Sequence, residues 1–210
     1  MALVSSTIPC TKIMIEQKDD VEFVCIDLLQ GDSPTRCVCV YFSPSGSTGE
    51  LFERMTLLCS KLDEICDSDT RLCLTGDFNL PQIDWETWSC PGKSVSTKES
   101  VFLDLCIKYG FSQHVAGPTR PKSNDVLDLV LCIDDCIGDV RIEGAPFKSD
   151  HAAVLFDLLL PQAVELNTAT KATDIDQSAI FDYAAGDSEM IRLNLSLTEW
   201  NRYRRDSRVV

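Results

Sequence analysis

A single aspartate inside Leu127-Asp128-Leu129-Val130-Leu131 constrains the fold of this chain more than any other position. The run is apolar enough to be a buried strand, and a carboxylate buried there is costly unless a partner meets it. The chain contains two histidines. His151, in Ser149-Asp150-His151, is the natural partner; His114 has no such acidic neighbours and reads as a surface residue. A second apolar run, Leu72-Cys73-Leu74, leads into Thr75-Gly76-Asp77-Phe78-Asn79-Leu80-Pro81, so a strand delivers the Asp77 carboxylate and the Asn79 carboxamide to a loop. Three short acid-bearing segments at strand ends, with one histidine and one asparagine, suit a site that holds a divalent cation and hydrolyses a phosphate ester.

The surrounding chain alternates strands with helices. Residues 11–17 and 21–29 predict two strands joined by the turn Lys18-Asp19-Asp20, and residues 36–41 predict a third. Leu51, Phe52, Met55, Leu58, Cys59, Leu62, Ile65 and Cys66 recur at three- and four-residue spacing, which predicts an amphipathic helix over 49–67. A strand over 71–75 follows, then a loop punctuated by Pro81, Trp85, Trp88, Pro91 and Gly92. A helix over 98–109 is stopped by Gly110. Strands are predicted over 126–133, 139–142 and 152–160, the last closed by Pro161. Repeated strands with two covering helices predict an α/β sandwich of two packed sheets over residues 1–160. Residues 161–210 read as a polar connector, a peripheral helix over 180–197 and a basic end carrying Arg202, Arg204, Arg205 and Arg208.

Composition adds a tension. With 33 acidic and 19 basic residues the net charge is -14, the wrong sign for gripping a phosphate backbone. Either the acidic faces are simply solvated, or bound metal ions supply part of the missing positive charge. The 11 cysteines sit in apolar settings, Cys37 and Cys39 alternating with Val38 and Val40, and Cys59 and Cys66 falling on a helix's apolar face. Cys132 and Cys136 lack a second pair at zinc spacing, so buried free thiols in a reducing, intracellular compartment are the better account. Residues 1–9 lack the basic and apolar regions of a signal peptide, and no apolar run approaches a membrane span, so no membrane partner is expected.

The order Gly76-Asp77-Phe78-Asn79, Leu127 to Leu131, Ser149-Asp150-His151 resembles the second half of the endonuclease/exonuclease/phosphatase superfamily. The extension Leu80-Pro81-Gln82-Ile83-Asp84-Trp85, with Phe111 to Gln113 and Pro118-Thr119-Arg120, is similar to the endonuclease domain of non-LTR retrotransposons. The resemblance covers residues 10–160. It implies a two-sheet α/β sandwich incomplete at its N-terminus, a Mg²⁺- or Mn²⁺-dependent endonuclease acting on DNA, and a reverse transcriptase domain in the parent protein. It also implies roles. Asp77 would position or deprotonate the attacking water, Asn79 would donate to the phosphate, and Asp150 would ligate the metal. His151 would contact a phosphate oxygen or move a proton, with Asp128 fixing its tautomer. Tyr41, in Tyr41-Phe42-Ser43-Pro44, would face the scissile phosphate, while Thr119 and Arg120 would lie along the DNA backbone.

Each position has a plainer reading: Tyr41 as a strand-end aromatic, Asp77 as a turn cap, Asp128 as an acceptor for backbone donors, His151 as a core histidine, and Pro-Thr-Arg-Pro as a turn. Family members also begin with an asparagine-bearing strand and a metal-binding glutamate, and nothing ahead of Thr11 matches either. That leaves two expectations: a DNA-nicking endonuclease domain, or a catalytically silent remnant with a structural or binding role. A lipid or inositol phosphatase is disfavoured by the segment from Pro81 to Trp85.

Overall fold

Period-two alternation of apolar residues builds the larger of two sheets. The computed structural model describes residues 4–15, 21–30, 33–66, 70–91, 97–145 and 149–160. Strands β1 (Cys10–Ile13), β2 (Glu22–Leu28) and β3 (Thr35–Tyr41) form an antiparallel meander, and the helix α1 (Thr48–Ile65) then crosses over to β4 (Arg71–Asp77), which lies parallel to β3. Helix α2 (Lys98–Tyr109) leads to the short β5 (Ser112–Gln113) and to β6 (Asp128–Cys132), completing the order β1-β2-β3-β4-β6-β5. A separate antiparallel ribbon pairs β7 (Ile137–Glu143) with β8 (Ala153–Leu158).

The helices form where local chemistry closes their ends. A capping box starts α1: the Ser47 N–H donates to Glu50 Oε2 at 2.6 Å, and the Glu50 N–H returns a bond to Ser47 Oγ at 3.4 Å. Thr97 and Ser100 cap α2 in the same reciprocal way, and Gly110 ends it in the left-handed conformation at φ 67°. Both helices cover the sheet face that presents Val38, Val40, Leu72, Leu74, Leu129 and Leu131, where the Phe78 and Phe102 rings meet at 4.8 Å. The ribbon covers the other face, Ile137 and Phe156 joining Cys37, Cys73, Val130 and Cys132 in a second core.

Register orders that second face into rows. Tyr41, Asp77 and Asp128 are Cα partners across β3, β4 and β6; Cys39, Thr75 and Val130 form the next row inward, and Cys37, Cys73 and Cys132 lie beyond. The outer row carries the polar groups singled out by sequence, and the inner one is made entirely of thiols.

The expected two-sheet α/β sandwich is observed, with one difference at its working edge. The strand predicted over 71–75 continues through Asp77, because Gly76 and Asp77 pair with both Val40–Tyr41 and Asp128–Leu129. The turn Lys18-Asp19-Asp20, Pro161, the connector, the peripheral helix and the basic end lie outside the described residues. Among the described residues no helix is long and apolar enough to cross a membrane. All 11 cysteines are free.

One buried ion pair fixes the β2–β3 register. Arg36 donates from Nε and Nη2 to the two Asp27 oxygens at 2.8 and 2.9 Å, and from Nη1 to the Ile65 carbonyl at 3.1 Å. Their side chains are 16% and 10% exposed, so removing one partner strands a largely desolvated charge. Asp27→Ala is expected to cost about 3 kcal/mol in urea unfolding. A cost below about 1 kcal/mol would show that water screens the pair as it does at a surface.

Candidate active site

The site is assembled from the ends of three strands and one connecting segment. Asp77 is the last residue of β4 and Asp128 the first of β6, directly opposite each other in register. Between Asp77 and the loop, the backbone turns sharply: Asn79 sits at φ 47° and its N–H donates to Asp77 Oδ1 at 3.1 Å. The Asn79 carboxamide is largely buried, donates from Nδ2 to the Phe42 carbonyl at 3.0 Å and also hydrogen-bonds the Asp77 carboxylate. Asn79 therefore holds Asp77 against the end of β3.

His151 approaches from the segment ahead of β8. Its Nδ1–H donates to Asp128 Oδ2 at 2.8 Å, the partner expected for an acid in an apolar strand, although Asp128 is half-buried rather than buried. A proton on Nδ1 leaves Nε2 as the basic nitrogen of the neutral ring. The His151 N–H donates to Ser149 Oγ at 3.0 Å, which orients the turn carrying the imidazole.

Thr119 joins the two halves of this pair. It is fully buried, its hydroxyl accepts from the Leu127 and Asp128 N–H groups at 3.0 Å each, and its carbonyl accepts from the Ala152 N–H at 2.7 Å. Sequence placed Thr119 beside DNA; in the structure it lies beneath the site and fixes Asp128 relative to the residue after His151. Arg120, its neighbour, donates to Asp150 Oδ2 from Nε at 3.0 Å and from Nη2 at 2.7 Å, both side chains half exposed. Asp150 and Arg120 thus meet each other, and the Arg120 guanidinium holds the Asp150 carboxyl below the usual carboxylate range. Tyr41 completes the outer row, 47% exposed.

Asp77, Asp128 and His151 each place one ligand atom so that all lie within 4.8 Å of one another. Burial raises the Asp77 carboxyl above its ordinary value, the facing Asp128 carboxylate raises it further, and His151 and Asn79 pull it down only in part. Such a pair of carboxylates is an electrostatic deficit that a divalent cation would relieve, and carboxylate oxygens are the donors Mg²⁺ and Mn²⁺ take. The residues present therefore fit such a cation.

The raised Asp77 carboxyl also makes a stability prediction. A carboxyl whose folded pKa lies above its unfolded value, about 3.9, opposes folding once ionised. That penalty is absent below the unfolded pKa and grows as pH rises through the folded one. Asp77→Asn keeps an oxygen for the Asn79 N–H and removes the charge, so its melting temperature should exceed wild type at pH 7.5, with the gain shrinking toward pH ~4. A variant less stable than wild type at pH 7.5 would contradict this.

Three contacts escaped the sequence reading. Lys98, first residue of α2, donates from Nζ to the Asn79 carbonyl, stands 3.8 Å from the Glu99 carboxylate and lies 5.6 Å from the Phe42 ring centre. Burial lowers its pKa, against the pull of Glu99 and Asp77. A lysine in a helix's first turn opposes the macrodipole, and that mismatch is the signal that could have marked it. Arg54 also packs on Phe42, donating to the Ser45 and Ser43 carbonyls at 2.7 and 3.0 Å, with its guanidinium 5.0 Å from the ring centre. Two cations thus flank the strand end beside Asp77 despite the net charge of -14. The third is a correction: His114, read as a surface residue, is half-buried with Nε2 3.1 Å from Cys132 Sγ.

Comparison with known proteins agrees with this architecture. Among solved structures, the chain is similar to the endonuclease domain of TRAS1, a telomere-specific non-LTR retrotransposon, at 16% identity and a TM-score of 0.52, covering 74% of this chain and 69% of that one. It is also similar to a 3'-5' exonuclease (NExo) from Neisseria meningitidis, at 17% identity and a TM-score of 0.46, covering 64% of each chain. No curated protein matches. At these identities the first likeness establishes the fold, a mixed α/β sandwich of the endonuclease/exonuclease/phosphatase type. The family described as endonuclease-reverse transcriptase matches residues 35–155, more than half of the chain, and spans Tyr41, Asp77, Asp128 and His151. The protein is a member of that endonuclease-reverse transcriptase family.

Proposed function

We propose that this chain is a divalent-cation-dependent phosphodiesterase that nicks DNA. The observation that carries the reading is the Asp77–Asp128–His151 constellation, with a 2.8 Å bond orienting the imidazole beside a carboxylate of raised pKa. Mg²⁺ or Mn²⁺ held by the Asp77 and Asp128 oxygens would neutralise charge on the phosphate and on the departing oxygen. The chain's own residues do the rest. Asp77 orients the attacking water and accepts its proton. His151, fixed by Asp128, presents Nε2 to the phosphate, where a protonated ring donates to a nonbridging oxygen. Tyr41 borders the same row, and Asn79 keeps Asp77 aimed. Asp150 would serve as a further cation ligand, and Arg120 as a phosphate contact, were their mutual ion pair to open. In the parent protein a reverse transcriptase would then use the nicked strand.

A specific observation favours a second reading. The Asn79 carboxamide is committed to Phe42 and Asp77, and Asp150 is neutralised by Arg120, as in a site that has settled into internal contacts. On that reading the chain is a silent remnant. The test is relaxation of supercoiled plasmid by the purified chain with Mg²⁺ or Mn²⁺, with and without chelator, alongside melting curves over a cation titration. An endonuclease nicks only with the cation, and the cation raises its melting temperature. Thermal stabilisation without nicking supports the remnant; neither effect removes the cation site altogether.

A further inference from the structure

The inner row of the covered sheet face has no part in the chemistry above, yet it holds the densest group of nucleophilic side chains among the described residues. Cys37, Cys73 and Cys132 are cross-strand partners on β3, β4 and β6. Cys136 enters the same core from the turn that joins β6 to β7, and its thiol hydrogen-bonds the Cys132 thiol. His114 adds an imidazole, its Nε2 3.1 Å from Cys132 Sγ. Four residues of strand rise, roughly 13 Å, separate this row from the Asp77–Asp128 row.

We propose that Cys132 and Cys136, both fully covered while the β7–β8 ribbon is docked, form a reversible dithiol–disulfide couple that exchanges with small-molecule disulfides such as oxidised glutathione when the ribbon lifts, with His114 taking the Cys132 proton. The three groups meet the chemical requirements separately. His114 provides a base in hydrogen-bonding contact with one thiol. Cys136 provides the resolving thiol, already in contact with the first. The intervening residues Ile133, Asp134 and Asp135 form a bend, with both aspartates exposed, which folds the chain back so that the resolving sulfur meets Cys132 from outside the ladder. Cys37 and Cys73, by contrast, face each other inside a continuous parallel pairing.

The thiols differ in the direction expected of attacker and donor. Hydrogen bonds from the Cys136 thiol and backbone, with His114, draw Cys132 down against the effect of burial, while Cys136 is pushed up as the donor. Cys25, Cys59, Cys66 and Cys106 are all pushed up, chiefly by burial, and are poor nucleophiles near neutral pH.

The exchange balances. Cys132 passes its proton to His114 and its thiolate attacks one sulfur of the oxidant; that S–S bond breaks and one thiolate leaves with the electron pair. The Cys136 thiol then loses its proton, attacks Cys132 Sγ, and expels the second thiolate. Two protein thiols are oxidised, one disulfide is reduced to two thiols, and the two protons end on the released sulfurs.

Tryptic cleavage leaves residues 123–141 as one peptide that contains Cys132 and Cys136 and no other cysteine. The native full chain is incubated with oxidised glutathione, acid-quenched, alkylated and mapped by mass spectrometry. The expected result is that this peptide, lighter by two hydrogens and unalkylated, is the first intramolecular disulfide to form. Two alkyl groups on the peptide after oxidation, or an earlier disulfide elsewhere in the chain, would overturn the proposal. In Cys136→Ser, a glutathione adduct should accumulate on Cys132; its absence overturns the assignment of Cys132 as attacking thiol. His114→Gln, with its fold checked by circular dichroism, should form the same bond roughly tenfold more slowly near neutral pH. An unchanged rate in that variant removes His114 from the step.

Discussion

Gly76→Ala is expected to prevent stable folding rather than merely weaken activity. Gly76 sits at φ 127°, a conformation that side chains rarely adopt, and an added Cβ would lie 1.9 Å from the Val40 carbonyl oxygen and 2.8 Å from the Val40 C and N atoms. Those atoms belong to the backbone of β3, paired on its other side with β2, so nothing flexible can yield. Relieving the overlap means parting β3 from β4 immediately beside the row that carries Tyr41, Asp77 and Asp128. Strain of this kind belongs to the small class of substitutions that cost more than about 4 kcal/mol. That is comparable to the whole stability of many domains, roughly 5–15 kcal/mol. Purified Gly76→Ala should lack a cooperative thermal transition or melt far below wild type. A melting temperature within a few degrees of wild type would mean that the strands separate here at little cost.

The second large effect concerns catalysis and rests on the proposed nicking activity. His151→Ala is expected to lower the plasmid-nicking rate about 10²- to 10⁴-fold, the usual loss for a positioned proton-transfer or charge-stabilising group. Asp128→Ala should lose at least as much, because it removes a proposed cation ligand and also frees the imidazole from the 2.8 Å bond that fixes its tautomer. The two residues act as one unit, so the double variant should be no slower than the worse single. Asp128 is also held by Thr119, and Thr119→Val, which removes the oxygen accepting two N–H groups, should lower nicking while leaving the cation's thermal effect in place. If the two single losses multiplied in the double variant, the residues would be acting independently and the assigned partnership would be wrong.

Much of the architecture was legible from local pattern. The helix around Met55, Leu58 and Leu62 follows from its spacing, and the stop at Gly110 from its conformational freedom. The Asp128–His151 bond followed from a cost: an acid in an apolar strand needs a partner, and histidines are scarce. What stayed hidden depends on contacts between distant segments that no local pattern encodes. Thr119 looked like part of a surface turn because its burial is created by the chain returning at Ala152, whose N–H it accepts. His114 looked isolated because Cys132, its neighbour in space, is a strand away. Asp150 and Arg120 each suggested an external partner, a metal and a phosphate, yet the fold lets them satisfy each other. The sheet register that aligns Tyr41, Asp77 and Asp128 was invisible too, since it depends on how closely β4 lies against β3 at Gly76.

The division of the site between two sheets separates being folded from being assembled. Tyr41, Asp77 and Asp128 belong to a six-stranded sheet, whereas His151 arrives on the segment that feeds a ribbon of two strands. A two-stranded ribbon has little stability of its own and persists only while docked. Sub-global opening that lifts this ribbon would part His151 from Asp128 while the larger sheet and both helices stay intact. Loss of activity on heating would then report undocking, and the far-ultraviolet signal would report melting of the sheet, two midpoints for one chain. Substitutions at the ribbon's contacts, such as Ile137 and Phe156, thereby become a means of tuning the first midpoint with little change in the second.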